Sequence, residues 1–252
     1  MIAHAGGAES RTKARQLIES GCVYVNGKPV LKASAEIGKD DRVELKNSSS
    51  ASYVGRGGLK LEAALREFMI SPASLVALDI GASTGGFTEC LLKYGAEKVF
   101  AVDSGSGQLH PSLMDDMRVV SLEGINARYL TREDLAGEKA GIVTMDVSFI
   151  SQSLLYGAVS SVMEESAALI SLIKPQFEVG RANVGKGGLV RDKALHAQAI
   201  ENLVRSAAAF GLFCTKLMRS PIDGGDGNKE YLAAFYKKGT VIDSAYVKKV
   251  LK

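Results

Sequence analysis

Short, almost wholly apolar runs recur along the chain, and each stops at an acid, a lysine or a glycine-rich stretch. They cover residues 75–80, 98–103, 118–122, 142–145, 168–173, 214–218 and 231–236. Parallel strands covered by helices on both faces read as continuous apolar runs of this kind. The pattern therefore predicts a doubly wound α/β sheet, with a glycine-rich connector over 220–230 joining its last two strands as an antiparallel hairpin. Between the runs the period lengthens. Leu61, Ala64, Leu65 and Phe68 predict a helix opened by Lys60, and residues 87–92 predict another that ends near Gly95.

At the front the pattern changes. Ser10 as a cap, a stripe of Ala14, Leu17 and Ile18, and Gly21 as a stop predict a short helix. Residues 23–30 flank Asn26-Gly27, a strong hairpin signal, and residues 42–45 supply a further strand. The polar, aperiodic residues 46–52 read as a flexible linker. The expected organisation is a small α+β domain over 1–46, a linker over 47–53 and a larger domain over 54–252.

The first body strand leads into Asp79-Ile80-Gly81-Ala82-Ser83-Thr84-Gly85-Gly86-Phe87. Glycines let backbone approach a ligand where a Cβ would clash, and the amides opening the next helix face whatever binds there. Ser83 stands where a dinucleotide fingerprint has its second glycine, so a ligand without phosphates suits the loop better and points to S-adenosylmethionine. Taken alone, the loop equally fits an ordinary strand-to-helix turn. Asp103 ends the second strand about twenty residues on, where doubly wound sheets place a carboxylate for ribose hydroxyls. Its bland alternative is a turn cap. Asn126, after the third strand, is placed to touch an adenine ring.

With 252 residues and 46% hydrophobic content the chain can bury a real core. Cys22, Cys90 and Cys214 are scattered, as are His4, His110 and His196, so neither a disulfide framework nor a zinc site is suggested. No signal segment or bilayer-length apolar run is evident, which leads to the expectation of a cytoplasmic protein without a membrane partner. Net charge is +3, but residues 1–60 hold ten Lys/Arg against six Asp/Glu, while the rest hold 21 against 22. The basic front fits a small nucleic-acid-binding module, or a merely solvated basic face.

Gly180-Arg181-Ala182-Asn183-Val184-Gly185-Lys186 matches most of a P-loop, yet Gly187 replaces the hydroxyl residue that would hold magnesium. It reads instead as a mobile substrate loop, in which Arg181 and Lys186 either contact RNA phosphate or are simply solvated.

The helix carrying Arg11, Lys13 and Arg15, followed by V-Y-V-N-G-K-P-V with Lys28, resembles the S-four RNA-binding domain over about residues 9–46. That family begins with a further basic, leucine-rich helix, whereas this chain starts M-I-A-H-A-G-G, so the first helix is expected to be missing or displaced.

Lys60, Asp146, Lys174 and Glu230 each precede or end an element at the expected ligand-binding edge. The motifs G-G-L-K-L, M-D-V-S-F-I-S, L-I-K-P-Q-F-E and G-N-K-E-Y-L resemble, in order and spacing, the TlyA family of rRNA ribose methyltransferases, related to FtsJ-type enzymes. The resemblance implies a Rossmann-like methyltransferase domain, S-adenosylmethionine as donor, cytidine in ribosomal RNA or ribosomal subunits as partner, and a Lys-Asp-Lys-Glu catalytic tetrad. A ribose hydroxyl must lose its proton as it attacks the methyl. A desolvated lysine can serve as base or stay charged and stabilise the alkoxide. Lys174 is expected in that role, with Lys60 orienting the hydroxyl and Asp146 and Glu230 holding the lysines in register; no metal is required. Arg56 is expected to contact RNA. The rival readings are a base methyltransferase, whose clamp Asp146-Val147-Ser148-Phe149 lacks, a non-catalytic RNA-binding protein, and a haemolysin-like protein.

Overall fold

The computed structural model describes residues 18, 23–30, 34–35, 37–38, 41–45, 53–224 and 227–252. In the front segment, β1 (Val23–Val25) pairs antiparallel with both β2 (Lys28–Pro29) and β3 (Val43–Leu45). Asn26 and Gly27 both have positive φ, 50° and 78°, as the tight hairpin turn requires. Asn26 also holds the third strand, accepting from Arg42 N and donating to Asp41. Apart from Ile18, which is helical, the predicted first helix lies outside the described residues, as does the linker at 46–52.

The body opens with α1 (Gly57–Phe68), then β4 (Val76–Ile80), α2 (Gly86–Lys93), β5 (Lys98–Asp103), the short α3 (Pro111–Met114), β6 (Val119–Glu123) and β7 (Ala140–Met145). It continues with α4 (Tyr156–Val162), β8 (Met163–Ile173), α5 (Lys193–Ala208), β9 (Phe213–Arg219), β10 (Tyr231–Tyr236) and α6 (Ser244–Val250). The seven strands form one sheet in the order β6-β5-β4-β7-β8-β10-β9. Pairings from β6 through β8 are parallel, and β10 runs antiparallel between β8 and β9. All seven predicted body strands are present, including the terminal antiparallel pair.

Alternate strand residues feed two cores. On one face Leu78, Phe100, Val143 and Leu169 pack with Tyr156, Ile200 and Val247 from α4, α5 and α6. On the other, Ala77, Val99, Ile142 and Leu172 pack with Leu61, Leu65, Phe87, Leu91 and Leu113 from α1, α2 and α3. Strand order reverses at β4, which leaves a crevice beyond the carboxyl ends of β4 and its neighbours, the usual ligand position in such sheets.

Two boundaries differ from expectation. The first body helix begins at Gly57, so Lys60 lies within its first turn rather than opening it. Strand β8 begins at Met163, five residues before the apolar run, because Glu164, Glu165 and Ser166 continue the strand as an exposed extension.

Candidate active site

The crevice is a cleft of about 490 Å³ lined by Gly81, Ser83, Asp103, Gln108, Asn126, Asp146 and apolar residues including Ile80, Ile125 and Phe149. A second cavity of about 200 Å³ adjoins it through Gly81, Ser83, Asp146 and Ser148, and is lined also by Arg56, Thr84, Gly86, Phe87 and Lys174. The loop after β4 thus separates two compartments, and Asp146 faces both.

Backbone geometry explains the glycine loop. Gly81 has φ +81°, and a Cβ there would strike the Asp146 carbonyl, so its first task is to let β4 and β7 end side by side. Gly85 has φ +94° and a Cβ there would strike Leu113. It lines neither cavity, and its lack of a Cβ lets α3 pack on the loop. Asp79 stands behind the loop. It is 0% exposed and accepts hydrogen bonds from Thr88 Oγ1 at 2.7 Å and Thr144 Oγ1 at 2.8 Å, so it braces the loop from behind. Burial pushes its carboxyl up to about 6, against the lowering effect of the two threonines.

Asp103 is at the cleft wall. It accepts from Ser83 N and Gly105 N, both at 2.8 Å. A carboxylate has lone pairs beyond those two, so ribose hydroxyls remain within its capacity. Asn126 lines the cleft while its side chain accepts from Arg128 N at 3.1 Å. Glu123 was missed by sequence reasoning. It accepts from the backbone N–H groups of Gly107, Gln108 and Leu109, which lower its pKa, and so fixes the loop that presents Gln108. The signal was available, since Glu123 ends its strand as Asp103 ends the preceding one.

The four tetrad candidates form two ion pairs. Lys60 Nζ meets Glu230 Oε2 at 2.5 Å, and Lys174 Nζ meets Asp146 Oδ1 at 2.6 Å. Lys60 is only 8% exposed because its position shares the apolar stripe of Leu61, Ala64 and Phe68. Lys174 also donates to Ser148 Oγ at 2.9 Å. The Lys174–Asp146 ion pair is close, and it holds the ammonium between Asp146 Oδ1 and Ser148 Oγ. Beyond Ser148, Phe149 is 92% exposed with φ +64° and lies 5.1 Å from the Phe177 ring. Its aromatic ring within a polar post-strand loop was the unread signal.

Of the expected RNA contacts, Arg56 lines the smaller cavity. Arg181 and Lys186 sit exposed on single-turn helices at Arg181–Asn183 and Lys186–Gly188 and line neither cavity. Arg11, Lys13 and Arg15 lie outside the described residues, as does the side chain of Lys28 on β2. Among the described residues no helix is long and apolar enough to cross a membrane.

The cleft suits S-adenosylmethionine: a carboxylate stands at the ribose position, apolar side chains flank a flat ring's place, and the Asp146 carboxylate at the cleft wall gives negative potential for a cationic ligand. Fold and site define the class, an S-adenosylmethionine-dependent methyltransferase. Residues 53–237 match the FtsJ-like methyltransferase family and residues 1–43 match the S4 domain. The chain belongs to the FtsJ-like methyltransferase family and carries an S4 domain ahead of the catalytic one. It is 42% identical to the 16S/23S rRNA (cytidine-2'-O)-methyltransferase TlyA of Mycobacterium tuberculosis, across 90% of this chain and 84% of that one. It is 43% identical to Hemolysin A of Brachyspira hyodysenteriae, across 91% of this chain and 95% of that one. A solved structure of a hemolysin-named protein from Streptococcus thermophilus superposes with a TM-score of 0.80 at 37% identity, covering 96% of this chain and 89% of that one.

Proposed function

We propose that this chain methylates the 2'-hydroxyl of a cytidine ribose in ribosomal RNA, with Lys60, Asp146, Lys174 and Glu230 as its catalytic tetrad. The observation that carries the reading is the pair of ion pairs at one sheet edge, Lys174 with Asp146 and Lys60 with Glu230, the first of them lining the cavity beside the donor cleft. The similarity to TlyA supplies the substrate class.

S-adenosylmethionine supplies an electrophilic sulfonium methyl. In this reading Gly81, Ser83, Asp103 and Asn126 bind the donor, while Thr84, Gly86 and Phe87 shape the wall on the substrate side. The hydroxyl oxygen lies against Lys174, which lowers the cost of the negative charge that develops there as the proton is shed. Ser148 fixes the ammonium's direction, and Asp146 faces both the lysine and the donor. Lys60, held by Glu230, adds positive potential and orients the sugar. Arg56 contributes a phosphate contact at the cavity mouth, and the exposed Phe149 offers a face for an unstacked base. Arg11, Lys13, Arg15 and Lys28 of the front domain, with Arg181 and Lys186, hold RNA by its phosphates. The linker expected over residues 47–53 lets that front domain act as a separate RNA handle, and a ribosomal substrate implies a cytoplasmic place of work.

Replacing Lys174 with alanine tests the tetrad. Single-turnover transfer to ribosomal subunits is expected to fall by about 10²–10³-fold, as for loss of one transition-state donor, with donor affinity retained. Transfer undiminished in Lys174→Ala contradicts the assignment.

A further inference from the structure

A third cavity, of about 320 Å³, lies outside the donor cleft, where the strap Leu189–Arg191, the start of α5 and the end of β9 meet the start of β10. Its walls include Leu189, Val190, His196, Tyr231 and Leu251, and its rim carries Arg191, Lys193, Arg219 and Lys229.

Buried polar groups are spent on shaping it. Asn228 accepts from Val190 N at 3.1 Å and donates to Gly188 O at 2.9 Å. The His196 ring bridges Val190 O at 2.8 Å and the Tyr231 hydroxyl at 2.9 Å. His196 and Asn228 are both buried, and burying such groups is worthwhile only when every partner is in place, so the strap is a fixed wall. Arg191 therefore projects from a rigid base.

The rim's charge is poorly balanced. Asp223 serves both Arg219, at 3.7 Å, and Lys229, while Lys193 donates to the Lys252 carbonyl and Arg191 makes no ion pair with any described residue. Asp192 faces its own helix, accepting from Ala194 N at 2.8 Å. Among the described residues the ion pairs at this rim are those of Asp223 with Arg219 and Lys229, around an open hollow.

Glu230, between Lys229 and Tyr231, reaches the other way to Lys60. Adjacent residues entering a strand point to opposite sides, so the basic hollow and the Lys60–Glu230 pair stand back to back at the start of β10. Tyr231 in the hollow's wall pairs with Ile173, the residue before Lys174, so the hollow and the tetrad share one sheet edge.

We propose that this cavity is a second RNA subsite, in which Arg191 and Lys193 hold a backbone phosphate of the strand flanking the target nucleotide. A guanidinium on a fixed base matches the phosphate fork, and Lys193 adds a point charge. The proposal rests on the RNA-methylating reading, but its test does not require methyl transfer.

Binding of the full chain to a ribosomal RNA fragment containing the methylated site is measured without donor over a series of salt concentrations. The double variant Arg191→Ala/Lys193→Ala is expected to bind about 5–10-fold more weakly near 0.1 M salt, with the slope of log K against log salt shallower by about one. Donor affinity and melting temperature stay unchanged. Charge reversal in Arg191→Glu is expected to weaken binding at least as much. Equal affinity and an unchanged slope in both variants overturn the subsite. A wild-type chain that binds the fragment but transfers no methyl to ribose overturns the reaction assignment and leaves the subsite standing.

Discussion

Burial pushes the Asp79 carboxyl up to about 6, although Thr88 and Thr144 both donate to it. For an acid whose folded value lies above its ordinary 3.8, folding favours the protonated form. Its contribution to stability is fully present below about pH 4 and is lost as the pH rises through about 6. The substitution Asp79→Asn keeps a polar group of the same shape and removes the titration. Urea midpoints should show the wild-type chain losing on the order of 2 kcal/mol more than the variant between about pH 4 and about pH 7. At this scale the sequence placed acids and lysines at strand ends correctly but could not tell which way they turn. Asp79 and Asp146 both follow apolar runs. Asp79 turns inward because hydroxyls nine and 65 residues away meet it, and such partners exist only once the sheet has formed.

The loops after β7 and β8 are tied to each other by one carboxylate. Glu178 accepts from Ser151 Oγ at 2.6 Å and Gln152 N at 3.0 Å, and burial raises its pKa against the lowering effect of those two donors. Gln152 in turn donates to Leu172 O at 2.7 Å and accepts from Ser171 Oγ, which ties the clasp to the sheet. The clasp holds together the segments that carry Asp146 with Phe149 and Lys174 with Phe177. In Glu178→Gln the amide oxygen can serve only one of the two donors, and the amide nitrogen that replaces the other oxygen holds Ser151 Oγ only if that hydroxyl turns its own hydrogen away. The expected cost is about 1–2 kcal/mol, seen as a roughly tenfold slower single-turnover methyl transfer with unchanged affinity for RNA. A rate equal to wild type shows that the two loops hold their places without the clasp. The strands were legible because buried parallel strands are apolar throughout. The polar extension of β8 was not, since Glu164 and Glu165 lie in an irregular stretch of the ladder between the Met163 and Ala168 pairings with β7, outside any apolar pattern. Helices α4, α5 and α6 went unread, and in α5 His196 interrupts the apolar stripe of Ala199, Ile200, Leu203 and Val204.

On the scale of the whole molecule, order along the chain maps onto one working edge. Residues from position 60 to position 230 meet beyond the carboxyl ends of the parallel strands, because the strand order turns at β4 and the antiparallel β10 returns Glu230 to Lys60. That return was the part of the site most readable from sequence: a glycine-rich connector between two terminal strands has few other folded outcomes. The third cavity was unreadable, since its basic rim is assembled from a strap, a helix start and two strand ends that share no local pattern. The central claim concerns where the methyl goes. Ribosomal subunits from cells lacking this protein are incubated with the purified chain and labelled S-adenosylmethionine, and the modified nucleotide is isolated and identified. The account predicts label on the ribose 2'-oxygen of cytidine, appearing about 10²–10³-fold more slowly when Lys174→Ala replaces the wild type; label on a base, or none on RNA, contradicts it.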